Sequence, residues 1–325
     1  MLTISRSRKN AKTGGGQPWA WLLLLLLACQ THAHAGGILV VASSSAELYS
    51  RFIERFTSSL PGSSPGTGVP DITVVYLDKH TLTDDDLAAH SIIIPVGTRA
   101  ARDVAARQLD IPVLHTIIPE SVYLTLATPP ATCTMQSAIF IDQPLARQVA
   151  LAQALFPDAV DYGVLLGPTS RQRQAEIDAL EKDIDLRLVV NIADRETDIA
   201  AVTNGLLQQV DLLIAVNDPL ALNRENAKWL LYSAYQRRLP VIGFSRAYVR
   251  AGAAGAVFSE PEQMARQAAE IVQRQIASPT ACLPAAGFPR YFSVAINQSV
   301  CSSLGGALCN EDALGELLAN REPGR

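Results

Sequence analysis

The chain has 325 residues, more than one ordinary hydrophobic core supports, with 48% hydrophobic residues, 6% aromatic residues and a net charge of −4. Four of its 27 bases (Arg6, Arg8, Lys9 and Lys12) precede the first acid, so without residues 1–35 the chain sets 23 bases against 31 acids, a net charge of −8. Dispersed bases on an acidic chain form no positive stripe for phosphates, and nucleic acid is excluded as the expected partner.

Those four bases lead into an apolar run from Trp19 to Leu27, and Ala33, His34 and Ala35 then give a small-x-small pattern before Gly36. This is the order of a secretory signal peptide over residues 1–35, and the run is short for a membrane span. "LLAC" ending at Cys29 is a poor match to a lipoprotein signal. The mature protein is expected to be exported, soluble and periplasmic.

From Gly37 short aliphatic runs alternate with amphipathic stretches. Strands are predicted at "GILVVAS", "ITVVYL", "IIIPVG" and "IPVLHTII", with helices from about Ala46, Asp84 and Thr98. "SSLPGSSPGTGVP" before Asp71 reads as a surface loop. At "TPPATCTM" from Thr128 the rhythm breaks, and the crossing between two lobes is placed there. A strand "SAIFID", a helix from Pro144, and strands "YGVLLG", "LRLVVNI", "DLLIAV" and "PVIGF" follow, separated by helices near Gln172 to Lys182, Ile199 to Gln209 and Glu225 to Arg237. After "AAGAVFS" come a long helix from Pro261, a strand "YFSVAINQ" and a helix around Asp312 to Ala319.

The expected class is α/β, with two Rossmann-like lobes of parallel sheets flanked by helices and joined by a hinge. The divisions are 36–130 for the first lobe, 131–252 for the second, 253–282 for a return to the first, and 283–325 for a terminal strand and helix near the hinge and the second lobe.

Ligands of open parallel sheets bind beyond the carboxyl ends of the strands. The residues there are Ser43, Ser44 and Ser45 after the first strand, Gly97 and Thr98 after the third, Pro168 and Thr169 after "YGVLLG", Asn217 and Asp218 after "LLIAV", and Ser245 after "PVIGF". Small hydroxylic residues at such places either cap helices or meet a ligand. Tyr123, Phe244 and Tyr248 could stack on a solute or pack the hinge.

Catalytic signatures are missing. His80, His90 and His115 are far apart, there is no G-x-S-x-G elbow, "GPTSRQR" lacks the Gly and Lys of a P-loop, and GxGxxG does not occur. Asp84 to Asp86 fit a helix start better than a calcium loop. No cofactor or metal is expected. Beyond Cys29, four cysteines (Cys133, Cys282, Cys301 and Cys309) suit an oxidising compartment, and three of them crowd the last segment. Three pairings are possible.

The tandem lobes, together with "VGTRAARDVAARQLDIPVL" from Val96, "DQPLARQVALAQALFPDAVDYGVLLGP" from Asp142, "LPVIGFSRAYVRAGAAGAVFSEPEQMARQAAEIV" from Leu239 and "FSVAINQSVCSSLG" from Phe292, resemble the substrate-binding family of ABC transporters. These are type I periplasmic binding proteins, tryptophan- and phenylalanine-binding lipoproteins among them. The resemblance implies a non-enzymatic, monomeric receptor whose lobes close on one small solute and deliver it to an ABC permease or another membrane partner. Ser44, Ser45, Gly97 and Thr98 would then line the first wall, and Pro168, Thr169, Asn217, Asp218 and Tyr248 the second. For an amino-acid-like solute, Asp218 would meet the amino group. The alternative is a periplasmic interaction or sensory protein of the same fold, serving an outer-membrane or signalling partner without its own permease.

Overall fold

The structure is a computed structural model that describes residues 36–60, 71–107, 109–126, 135–183 and 186–321. The leader, most of the Ser/Gly/Pro stretch before Asp71, the Thr128 break and Cys133 lie outside the described residues.

In chain order the first half comprises β1 (Gly37–Ala42), α1 (Glu47–Ser59), β2 (Ile72–Tyr76), α2 (Asp84–Ala88), β3 (His90–Val96), α3 (Thr98–Ala105), β4 (Val113–Ile118), α4 (Glu120–Leu126) and β5 (Gln136–Phe140). Its five strands form one parallel sheet in the order β2-β1-β3-β4-β5. The second half comprises α5 (Leu145–Leu155), β6 (Asp161–Leu166), α6 (Gln174–Asp183), β7 (Arg187–Ile192), α7 (Ile199–Leu206), β8 (Leu212–Ala215), α8 (Arg224–Gln236), β9 (Val241–Gly243), α9 (Arg246–Ala251), β10 (Gly255–Phe258), α10 (Pro261–Ala277), β11 (Ser293–Ile296), α11 (Gln298–Ser303) and α12 (Glu311–Arg321). Its sheet has the order β11-β10-β9-β8-β6-β7.

The aliphatic runs become strands because helices cover both faces. Ile38, Val40, Ile92 and Ile94 point into a cluster with Phe52 and Phe56 of α1, while Leu39, Val41 and Ile93 point to the opposite face with Ala100 and Val104 of α3. In α1 the buried residues Phe52, Ile53 and Phe56 fall on one helical face, each contributing about 1.5–3 kcal/mol of apolar burial. The apolar side of α10 (Met264, Ala265, Ala268, Ala269, Ile271 and Val272) completes the same cluster. Its alanines let α10 lie close against α1.

Three details differ from the periodicity reading. The run "SAIFID" does not open the second sheet: β5 pairs with β4, because both of its faces are buried and β4 would otherwise be an unpaired edge. β10, placed in the return segment, belongs to the second sheet beside β9. β11 runs antiparallel to β10, so that sheet is not wholly parallel. The chain leaves β10 at Phe258 and comes back to the same end at Ser293, and a strand entering there must run the other way.

The chain passes between the sheets three times, at Ile141–Pro144, Ser259–Glu260 and Phe288–Phe292. Each passage starts or ends at the carboxyl edge of a parallel strand, so both strand-end edges border the hinge. The passages are tied together. Gln143 Nε2 donates to Ser259 Oγ at 2.9 Å, Ser259 Oγ donates to Tyr291 O at 2.7 Å, and the buried Arg147 donates to Gln143 Oε1 and to Pro289 O while stacking 4.1 Å from the centre of the Phe292 ring.

Among the described residues no helix is long and apolar enough to cross a membrane, and no group of three or more His, Cys, Asp or Glu could hold a metal. Cys301 is bonded to Cys309, and Cys282 is also disulfide-bonded.

Candidate functional site

Ser43 to Ser45 follow β1, and each serine has a different task. Ser43 is buried. Its hydroxyl donates to Val96 O at 3.0 Å and accepts from the N–H of Ala100 at 3.0 Å, clamping the end of β3 to the first turn of α3. Ser45 gives both its N–H (2.9 Å) and its hydroxyl (2.7 Å) to Asp78 Oδ2, tying two strand-end loops together. Those bonds hold the Asp78 carboxyl below its ordinary range. Ser44, between them, is partly exposed and accepts a long bond from the N–H of Ala46 at 3.4 Å.

Gly97 begins α3 with φ +89°, and a Cβ there would stand 2.6 Å from Ser43 Oγ and 2.7 Å from the Tyr49 ring and hydroxyl. Only glycine adopts that backbone readily, and only glycine lets Tyr49 lie against the chain. Ala100 N–H is taken by Ser43 and Ala101 N–H by Gly97 O, which leaves the N–H groups of Thr98 and Arg99 at the open end of the helix. Tyr49 was not singled out from the sequence. Within an amphipathic stretch it reads as one more helix residue, and the signal that could have found it is Gly97.

On the second sheet Asp218 is fully buried. Its Oδ2 accepts from the N–H and hydroxyl of Thr169 (3.1 and 2.8 Å) and of Ser170 (both 2.9 Å), and its Oδ1 accepts from the N–H groups of Leu220 and Ala221 (2.9 and 3.0 Å). Burial opposes the charge, but the bonds from Ala221, Thr169, Ser170 and Leu220 outweigh it and keep the carboxyl below its ordinary value. Gly167 permits this packing, since a Cβ there would fall on the carboxylate. Asp218 therefore presents no free oxygen to an ammonium group. It organises the loop on which Pro168, Thr169 and Asn217 stand exposed.

Ser245 caps α9, accepting from the N–H of Tyr248 at 3.2 Å, and Phe244 lies partly exposed with its ring 4.7 Å from that of Tyr248. Tyr248 itself is buried in the second core, and burial raises its phenol pKa. Tyr123 is likewise core: its hydroxyl donates to Gln136 O at 3.2 Å and its ring packs against His115 and Phe140. Neither ring is a free stacking face.

Of the sequence-predicted residues, Ser44, Ser45 and Thr98 are accessible on the first edge, and Pro168, Thr169, Asn217 and Ser245 on the second, with Ser45 and Thr169 already bonded to Asp78 and Asp218. Ser45, Gly97 and Asp218 shape these edges. Glu120 and Asp142, the latter on the first passage itself, form a partly buried acidic pair, with Glu120 N–H donating to Asp142 Oδ2 at 2.7 Å. Burial raises both carboxyls, and the guanidinium of Arg173 counters it.

A family model described as ABC transporter substrate binding protein matches residues 82–280. No curated protein matches the chain. Among solved structures, a ligand-free, open substrate-binding protein with adhesive properties from Clostridium difficile is similar at TM-score 0.67 and 16% identity, over 84% of this chain and 96% of that one. An ABC domain in complex with L-Trp from Streptococcus pneumonia gives TM-score 0.58 and 16% identity over 86% and 98%. A periplasmic ribose ABC transporter protein from Conexibacter woesei gives 0.51 and 14% over 84% and 96%. At these identities the likeness is one of fold, that of the type I periplasmic binding proteins.

Proposed function

The chain belongs to the ABC transporter substrate-binding protein family, and on that premise we propose that it captures one small organic solute between its two strand-end edges, outside the cytoplasm, and delivers it to an ABC permease. The observation that carries this reading is the pairing of two polar edges around one hinge. Ser44 and Thr98 are left accessible on one, and Thr169, Asn217 and Ser245 on the other, while the residues behind them are internally satisfied.

An amino-acid-like solute is the favoured class. The free N–H groups at Thr98 and Arg99 suit a carboxylate, and hydroxyl and amide groups supply the remaining bonds. A protein of the same fold holds L-Trp, which supports this choice. Asp218 contributes from behind, through its loop, and does not meet an amino group. We further propose that the protein acts as a monomer, without turnover, after export to the periplasm.

Thermal unfolding of the leaderless protein against amino acids, sugars, nucleosides and organic acids tests the reading. A solute at a hundred times its dissociation constant adds about 2.7 kcal/mol to stability. One class should raise the midpoint, and Asn217→Ala and Thr98→Ala should each reduce the shift. If no class moves it, the alternative of a partner-binding or sensory protein takes precedence.

A further inference from the structure

Glu260 lies on the second passage, between Phe258 at the end of β10 and Pro261 at the start of α10. Its carboxylate has a guanidinium on each side of the hinge: Arg51 of α1 at 3.6 Å and Arg246 of α9 at 3.3 Å. Arg51 is held in place by Glu262, through Nε at 2.7 Å and Nη2 at 3.0 Å. Arg246 packs 5.2 Å from the centre of the Phe258 ring. The N–H of Glu260 donates to Gln263 Oε1 at 2.9 Å in a capping box, so its backbone is fixed. Glu47 and Arg55 on α1 complete the local charges and are of opposite sign.

These groups stand on elements of both bodies. α1 and α10 share one apolar cluster, so Arg51 and Glu262 belong to the first body, and Glu260, as the N-cap of α10, is fixed to the start of that helix on the passage itself. Arg246 belongs to the second, between β9 and β10. A rotation of one body against the other would leave the Arg51–Glu262 pair intact and change the Arg246–Glu260 distance.

We infer that Glu260 is a positioning residue for solute capture, whose carboxylate, shared between Arg51 and Arg246, sets the resting angle of the two lobes and thereby the affinity for the solute. The inference rests on the receptor reading for its consequence, but its test needs no solute. Because the groups are partly exposed, the pair biases the resting equilibrium by a factor of about 2 to 5 at low salt, and less as salt screens it.

The experiment is a spin-label distance measurement on the ligand-free, leaderless protein, with nitroxides at Ser58→Cys and Asp178→Cys under non-reducing conditions. At low salt Glu260→Gln and Arg246→Ala should each shift the distance populations about 2- to 5-fold, as 1 M NaCl does to the unsubstituted protein. Arg246→Lys should retain most of the original distribution. Glu262→Gln, which touches only the pair on one side, should leave it in place. Wild-type distributions for both Glu260→Gln and Arg246→Ala overturn the inference. A shift in those variants sustains it even if no solute is found, whereas only the solute screen can sink the receptor reading.

Discussion

Gln143 and Ser259 are 116 residues apart in sequence, yet Gln143 Nε2 donates to Ser259 Oγ at 2.9 Å, and the same hydroxyl donates to Tyr291 O at 2.7 Å. One serine thus joins all three passages between the sheets. Ser259→Ala removes both bonds and leaves a carbonyl and an amide short of a partner, at a cost of about 1–3 kcal/mol. Urea unfolding reads this directly, and an unchanged midpoint would refute the linking role of the hydroxyl.

Asp218→Ala should be among the most damaging polar substitutions, because it strands the donors of Thr169, Ser170, Leu220 and Ala221. A loss of about 2–4 kcal/mol is expected. The carboxyl is held below its ordinary pKa, so its contribution is present above the unfolded value and disappears as pH falls through the folded one. Asp218→Asn should flatten that acid limb in denaturation curves recorded below about pH 4.

His115 gives a second pH signature. Burial pushes its imidazole from 6.5 down to about 4, against a smaller opposing effect of Gln136. Since the folded state disfavours the charged ring, the stability tied to its neutral form is complete above pH 6.5 and is lost as pH falls from 6.5 towards 4. The loss approaches about 3 kcal/mol at the lower end. Stability measured between pH 7 and 4 should fall less steeply in His115→Leu or His115→Gln, and equal slopes would contradict the assignment.

Gly97→Ala combines a left-handed backbone with a collision against Ser43 and Tyr49. It should cost about 1–3 kcal/mol. Tyr49→Ala removes one of the two obstacles, so the double variant should lose less than the two single losses added together. Strict additivity in the urea midpoints would place Tyr49 away from this turn.

The Cys301–Cys309 bridge closes a short loop between α11 and α12, with a sequence separation of 8. On the chain-entropy view, replacing both cysteines by serine should lower stability by about 2–3 kcal/mol. Calorimetry with and without reductant provides the check, although Cys282, also bridged, will respond to reductant too.

The strand and helix order was legible because continuous aliphatic runs such as Ile92 to Val96 can be buried only between two helical layers. Sheet membership was harder to read. Nothing local in "SAIFID" distinguishes the free edge of β4 from a new sheet, and β10 depends on a partner strand it meets only in space. The site was legible to the level of strand ends and no further. Ser45 finds Asp78 from 33 positions away, and Asp218 finds Thr169 from 49. Those separations turn apparent ligand groups into internal ties, and no short pattern records them. Tyr49 escaped notice for the converse reason, since its place beside Gly97 is set by a missing side chain.

The three passages also govern how the protein can be made. β5 ends at Phe140, but α10, which closes the same apolar face, begins at Pro261. At roughly 5–20 residues per second, a ribosome needs roughly 7–27 s to supply the missing helix after β5 is complete. Throughout that interval part of the greasy surface around Ile38, Ile94 and Leu114 lacks its cover, so the nascent chain is a natural client for a holding chaperone. A gene truncated before Pro261 would encode an aggregation-prone fragment instead of a free-standing lobe.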